Sequence, residues 1–471
     1  MKSMHLRQLP GALACWLACG AGLAWAQSAP PVDPPSASTA PADAIATAPA
    51  EVPATSTPGA PSALTIPGVL PASAAATGPA LTLDALVQRV LTYSPTLQSA
   101  VQLRDQSQAG ISSAGALPNP RLEFTEGRQS PIAAAANSGA LNSWGVSQMI
   151  ENPWMRSARV DAAEQKLRSS QALLGLTRSE VVAQVRLRAY ELLLRQEEAK
   201  AAADELTLLE QTRERVRLRG EAPRYESIKA EAEFISARQR RQTALLAVEQ
   251  SRVRLNQLAA GQLPAGWTLS AALDGAPRVP GAAVLHEQLI NRNPELHSLR
   301  AEQERQQARV REASASRWPG IEVRYGESRD PEVSQRVLGA SIQIPLLDQK
   351  RGPRAEAESE AVRARSRLES RLTELQLQLD AALMTLEMAR LRVDALGTGA
   401  IQDAEAAVRV AQAAYRFGER GILDVLDAQR VLRTVRADLL QARYQLQAAA
   451  IEIDLLTGRD AAYADTQEVQ P

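Results

Sequence analysis

Long stretches of this chain alternate apolar positions in steps of four and three. From Leu368 they fall at Leu372, Leu375, Leu379, Ala382, Leu386, Ala389 and Val393, and beyond the glycines at 418 and 421 they run from Val425 through Ala428, Leu432, Val435, Leu439, Ala442, Leu446, Ala449 and Ile453 to Leu456. Such heptad seams predict two long helices packed as an antiparallel coiled coil. A helix predicted from Trp154 to Arg219 would be about 100 Å long at 1.5 Å per residue. Ordinary globular domains need no such rod.

Shorter stretches alternate with a period of two. Ile321, Val323 and Tyr325 interleave with Glu322, Arg324 and Gly326, and Leu338, Ala340, Ile342 and Ile344 interleave with Gly339, Ser341 and Gln343. These are strand signals. Leu122 and Phe124, and Val146 with Met149 or Ile150, repeat them more weakly, and each hairpin ends at a proline, Pro153 or Pro345.

The two halves are copies at a spacing of about 199 residues. Ser94-Pro95 matches Asn293-Pro294, Asn119-Pro120 matches Trp318-Pro319, and Leu122-Glu123-Phe124 matches Ile321-Glu322-Val323. Such self-similarity makes one plan serve twice. A first repeat is expected over 80–271, with strands about 120–151 and a helical hairpin about 154–259. A second follows over 272–460, with strands about 319–345 and a hairpin about 352–457, before a flexible tail, 461–471.

Composition adds the compartment. Lys2 and Arg7, an apolar run to Leu23 and Ala24-Trp25-Ala26 have the layout of a secretory leader, expected as residues 1–26. Cleavage after Ala26 is expected rather than lipidation at Cys19, because Trp16 stands where a lipoprotein box usually has Leu. Both cysteines lie inside the leader, so no disulfide or thiolate metal site is expected. Residues 27–79, nearly all Ala, Pro, Ser and Thr, read as a disordered linker. Acids and bases balance at 53 each and alternate along the helices, which argues against a nucleic-acid partner.

Beyond the leader no stretch is long and apolar enough for a membrane helix, so membrane residence would require a barrel. Four strands cannot close one, and open edges in lipid leave backbone groups unsatisfied, so several chains would have to share it. A soluble coiled-coil scaffold of the periplasm with two surface hairpins is the competing reading.

The run Ala414-Tyr415-Arg416-Phe417-Gly418-Glu419-Arg420-Gly421-Ile422-Leu423-Asp424-Val425-Leu426-Asp427-Ala428-Gln429 resembles the helix-turn-helix tip of the TolC family of outer membrane factors. The duplicated plan matches that family from about Leu81 to Gly458. Tyr415 to Asp424 is most similar to the branch serving cobalt-zinc-cadmium efflux pumps. The resemblance implies a mainly α fold with a small β part: a trimeric α-barrel of long-helix hairpins, and a shared twelve-stranded outer-membrane β-barrel to which each chain gives four strands. It implies a homotrimer, set in outer-membrane lipid with a long periplasmic part, that docks to a periplasmic adaptor and an inner-membrane RND-type pump. Its function would be passive conduction of substrate, heavy-metal cations by the branch. A multidrug or protein-secretion duct of the same family is the alternative.

No enzyme constellation and no cofactor site presents itself. His286 and His297 stand eleven apart without a third ligand nearby, which favours surface or structural roles over a metal site. Asp424 and Asp427 are three apart on one helix face, and threefold symmetry would turn each into a carboxylate ring favouring cations. Acids there also simply suit a helix N-terminus. The resemblance implies that both form the pore gate, and that Tyr415, Arg420 and Glu226 latch neighbouring helices shut. The family usually has Asp at the last position, and an exposed glutamate of little consequence is the other reading. Gly220, Gly418 and Gly421 are expected to end helices in left-handed conformation. With Glu221 and Glu419 they form the tips that, by resemblance, meet the adaptor.

Overall fold

A computed structural model describes residues 78–130, 138–218 and 224–461. The expected leader, Cys19, nearly all of the linker, Gly220, Glu221 and most of the expected tail lie outside the described residues.

The first half runs β1 (Ala80–Leu81), α1 (Leu83–Tyr93), α2 (Pro95–Gly115), β2 (Arg121–Gln129), β3 (Gly139–Ile150), α3 (Pro153–Leu218) and α4 (Arg224–Leu258). The second runs β4 (Thr268–Leu269), α5 (Ala282–Arg292), α6 (Pro294–Ala315), β5 (Ile321–Arg329), β6 (Ser334–Ile342), α7 (Arg351–Ala395), α8 (Ile401–Phe417) and α9 (Ile422–Leu456). Helix α3 has 66 residues, a rod of about 100 Å. Helices α7 and α8 continue one another through a single π turn at Leu396–Ala400, around Gly397 and Gly399, which the unbroken heptads of α7 did not foretell.

The duplication reaches the packing. Leu86 and Val90 of α1 stand 199 residues before Leu285 and Leu289 of α5, and all four are completely buried. The first pair packs with Val182, Leu192, Leu255 and Trp267, the second with Leu379, Leu386 and Ile453. Both helices then stop at a residue before proline, where the ring excludes helical geometry, and the chain restarts with Pro95 or Pro294 in the first turn. Asn293 does more than its counterpart Ser94: its Oδ1 accepts from the Leu296 amide at 2.8 Å and its Nδ2 donates to the Leu456 carbonyl at 2.8 Å. These cores sit at mid-length of the rods, where β1 and β4 pair in parallel.

The four long strands form one antiparallel sheet, ordered β2-β3-β5-β6, so β2 and β6 are its edges. The register gathers Leu122, Phe124, Trp144, Val146, Ile150, Ile321, Val323, Tyr325, Leu338, Ala340 and Ile342 on one face. Of the two residues the alternation left open, Ile150 faces Ile321 and joins this face, whereas Met149 faces Glu322 on the other. The second face carries Glu123, Ser147, Glu322, Arg324 and Ser341. Leu122, Phe124 and Leu338 are each more than two-thirds exposed within the single chain. Toward the rods the first face suits hydrocarbon and the second water, the division a barrel wall requires, while toward the far ends of the strands Glu126, Glu327 and Arg336 make the first face polar.

Candidate functional site

At the end of the rods away from the sheet, α8 and α9 meet in the turn that carries the candidate acids. Helix α8 ends in a Schellman motif: the Glu419 amide donates to the Ala414 carbonyl at 3.0 Å and the Gly418 amide to that of Tyr415 at 3.1 Å. Gly418 has φ 78°, a conformation in which a Cβ is strained, so glycine is required. Gly421 corrects the expectation made for it. At φ −80° and ψ 167° it is extended and serves as N-cap of α9, because one left-handed residue already completes the turn. Glu226 Oε1 lies 3.4 Å from where its Cβ would be, an ordinary van der Waals approach, so the carboxylate rests on this turn without itself demanding glycine.

The fold therefore brings Glu226, in the first turn of α4, against the α8–α9 turn, although the two are nearly 200 residues apart in sequence. Tyr415 is buried in the tip cluster with Leu209, Val216, Ile422 and Val425. Within the chain Arg420 Nη1 lies 3.8 Å from Asp424, an exposed pair one helical turn apart. Arg430 stands 4.0 Å from Asp427 and 3.0 Å from Glu233 of α4. Asp427 is 75% exposed and Asp424 48%, so both carboxylates remain open to solvent. Exposed pairs at such distances contribute little to stability.

Two contacts behind the tip carried no readable signal in the sequence. Gln429 Nε2 donates to the Thr212 hydroxyl at 3.3 Å in a buried pair that ties α9 to α3. Glu205 of α3 accepts from Arg240 of α4 at 2.7 Å and from Arg433 of α9 at 3.2 Å, so one carboxylate joins three helices. Each partner is one of many Arg and Glu residues on solvated faces, and nothing in their spacing marks the pair that closes. At mid-rod, Arg186 of α3 bonds Asp454 at 3.0 Å and also Asp460. Burial outweighs this guanidinium and pushes the Asp460 carboxyl up to about 6.

The histidines stand in structural contacts. His286 Nε2 meets Asp380 at 3.0 Å, and His297 Nε2 meets the Asn291 carbonyl at 2.9 Å. Among the described residues no group of three or more His, Cys, Asp or Glu side chains is placed to hold a metal ion, and no helix is long and apolar enough to cross a membrane.

A sheet with one apolar and one polar face, carried on rods whose far tip presents open carboxylates, defines the class of chains that build an outer-membrane channel. The family model described as outer membrane efflux protein matches residues 285–459. The cobalt-zinc-cadmium resistance protein CzcC of Cupriavidus metallidurans is 29% identical over 391 residues, 82% of this chain and 91% of that protein. Among solved structures, CusC superposes with TM-score 0.69 at 18% identity, covering 80% of this chain and 92% of that one. The open-state MtrE channel of Neisseria gonorrhoeae superposes with TM-score 0.67 at 20% identity, over 80% and 88% of the two chains. VceC of Vibrio cholerae gives 0.66 at 18%, over 80% and 96%. Over its second half the chain matches the outer membrane efflux protein model, and its overall fold is that of the solved outer-membrane channels, the resemblance its tip motif led us to expect. It is an outer-membrane efflux channel component with a long periplasmic part.

Proposed function

We propose that three copies of this chain assemble into a passive duct that carries heavy-metal cations from the periplasm to the exterior. In this reading an inner-membrane RND-type pump supplies the energy and a periplasmic adaptor grips the tips. The observation that carries it is the sheet: four strands with one apolar face and two open edges are stable in lipid only when other copies continue the hydrogen bonding. The rods support the same assembly. Ile228, Ile235, Leu246 and Val253 on α4, and Leu377, Met384, Met388 and Leu391 on α7, form apolar stripes more than half exposed in one chain, at spacings that suit neighbouring helices. The cation substrate is supported by the CzcC relative and by the solvated Asp424 and Asp427, which threefold symmetry turns into two acidic rings at the narrow end.

Arg420, Tyr415 and Glu226 are assigned to the latch that holds the closed tip. Glu226 already rests on the Gly421 turn, and the exposed Arg420 is positioned to leave Asp424 for a carboxylate of the next copy. Gly220, Glu221, Gly418, Glu419 and Gly421 make up the adaptor-facing tips.

The test is the mass and membrane fractionation of the detergent-extracted protein, followed by zinc, cobalt and cadmium tolerance of cells with and without its gene. A trimer in the outer membrane and lost tolerance support the duct for metals. A soluble monomer or dimer ends the duct reading, and a trimer without effect on tolerance ends the metal assignment.

A further inference from the structure

Where the second strand pair joins its helices, a cleft of about 530 Å³ opens between the end of α6 and the start of α7. Arg317, Lys350, Arg351 and Arg354 line it, together with Trp318 and Pro345, and the described lining contains no carboxylate. At its rim Asp348 takes Lys350 at 2.5 Å and Glu358 takes Arg354 at 2.8 Å, which leaves four cations against two acids. Arg317 lies 5.0 Å over the Trp318 ring, and the Trp318 ring meets that of Trp154 edge-on at 6.5 Å. Lys350 is held at φ 55°, a left-handed conformation that costs a non-glycine residue about 1 kcal/mol or more and collects at binding sites.

The cleft adjoins apolar surface on the strand side. Ile342, Ile344, Leu346 and Leu347 lead from β6 to its mouth and are 54%, 65%, 74% and 102% exposed. A cationic cleft beside a tryptophan pair, continuous with leucines and isoleucines, matches a molecule with a phosphate at one end and acyl chains at the other. We propose that this cleft seats the headgroup phosphate of an anionic phospholipid in the membrane leaflet facing the rods. Tryptophan at that depth and basic side chains just outside the hydrocarbon are the physical requirements for such a contact. Free phosphate shares the headgroup's charge, but the exposed leucines commit the site to lipid. This rests on the outer-membrane placement of the strands.

The experiment is native mass spectrometry of the full-length, detergent-extracted protein titrated with phosphatidylglycerol or phosphatidylcholine, with insertion into vesicles of the same lipids scored in parallel. Wild type should retain phosphatidylglycerol with a preference of about tenfold, the effect of one desolvated charge contact. The variant Arg317→Gln, Arg351→Gln, Arg354→Gln should lose that preference, and the Arg317→Lys, Arg351→Lys, Arg354→Lys variant should keep it. Equal retention of both lipids by wild type, or an unchanged preference in the glutamine variant, overturns the site. Displacement of the lipid by millimolar inorganic phosphate overturns the commitment to lipid. A wild-type chain that inserts into neither vesicle overturns the membrane placement itself, and the site falls with it.

Discussion

The middle of the rods and their tip use the same heptads with different materials. At mid-length Leu86, Leu192, Leu255, Leu285, Leu289 and Leu379 are completely buried, two duplicated cores stand side by side, and Asn293 and Arg186 bind the end of α9. At the tip the core shrinks to a small cluster around Tyr415 and Ile422, and the surface contacts are ion pairs at 3.0 Å (Arg430 with Glu233), 3.8 Å and 4.0 Å. Buried leucines each contribute about 2 kcal/mol, whereas exposed pairs contribute about 0–1 kcal/mol. The rods are thus fixed at mid-length and weakly held at the tip. A partner can move the low-stability end without unfolding the rest.

The comparison breaks most readily in the middle. Leu192→Ala should lower stability by about 2–5 kcal/mol, read as a shifted denaturant midpoint of the extracted protein. A loss no greater than that of an exposed substitution would mean that the mid-rod core is not the anchor.

Asp460 sharpens the same region through pH. Its folded carboxyl is raised from 3.8 to about 6, so the folded state binds the proton more tightly. The stability from this group is full below the unfolded value and is lost as pH rises through about 6. Wild type should therefore lose on the order of 2 kcal/mol relative to Asp460→Asn between those two values. Parallel pH profiles for the two proteins would show that Asp460 is not desolvated.

At the tip the stability effects shrink and functional effects take over. Arg420→Ala with Tyr415→Phe should cost about 1 kcal/mol, mainly from the buried tyrosine, yet raise the closed-state conductance in planar bilayers. Unchanged conductance removes the latch assignment. Asp424→Asn with Asp427→Asn should change stability by less than about 0.5 kcal/mol while weakening cation selectivity and block by multivalent cations. A large loss of stability would place these acids in the scaffold instead.

The pairing of Glu226 with the Gly421 turn marks where sequence reading stops. The motif named the acid, the arginine and the tyrosine, but gave Gly421 the wrong backbone, since two glycines three apart do not reveal which one ends the helix. Helix starts, the strand alternation and the 199-residue duplication were legible because each follows from local periodicity or from comparing the chain with itself.

The sequence by itself determined that this protein is built of two equivalent halves, each a strand hairpin followed by long helices. Periods of two and of three to four fix which residues share a face without reference to any distant residue. Only the tertiary structure decided that Ile150 rather than Met149 joins the apolar wall, that Glu205 gathers three helices, that Asp460 is buried against Arg186, and that four cations converge beside Trp318. Each depends on register or on the meeting of residues far apart in the chain, and packing selects those contacts from many side chains that are locally equivalent.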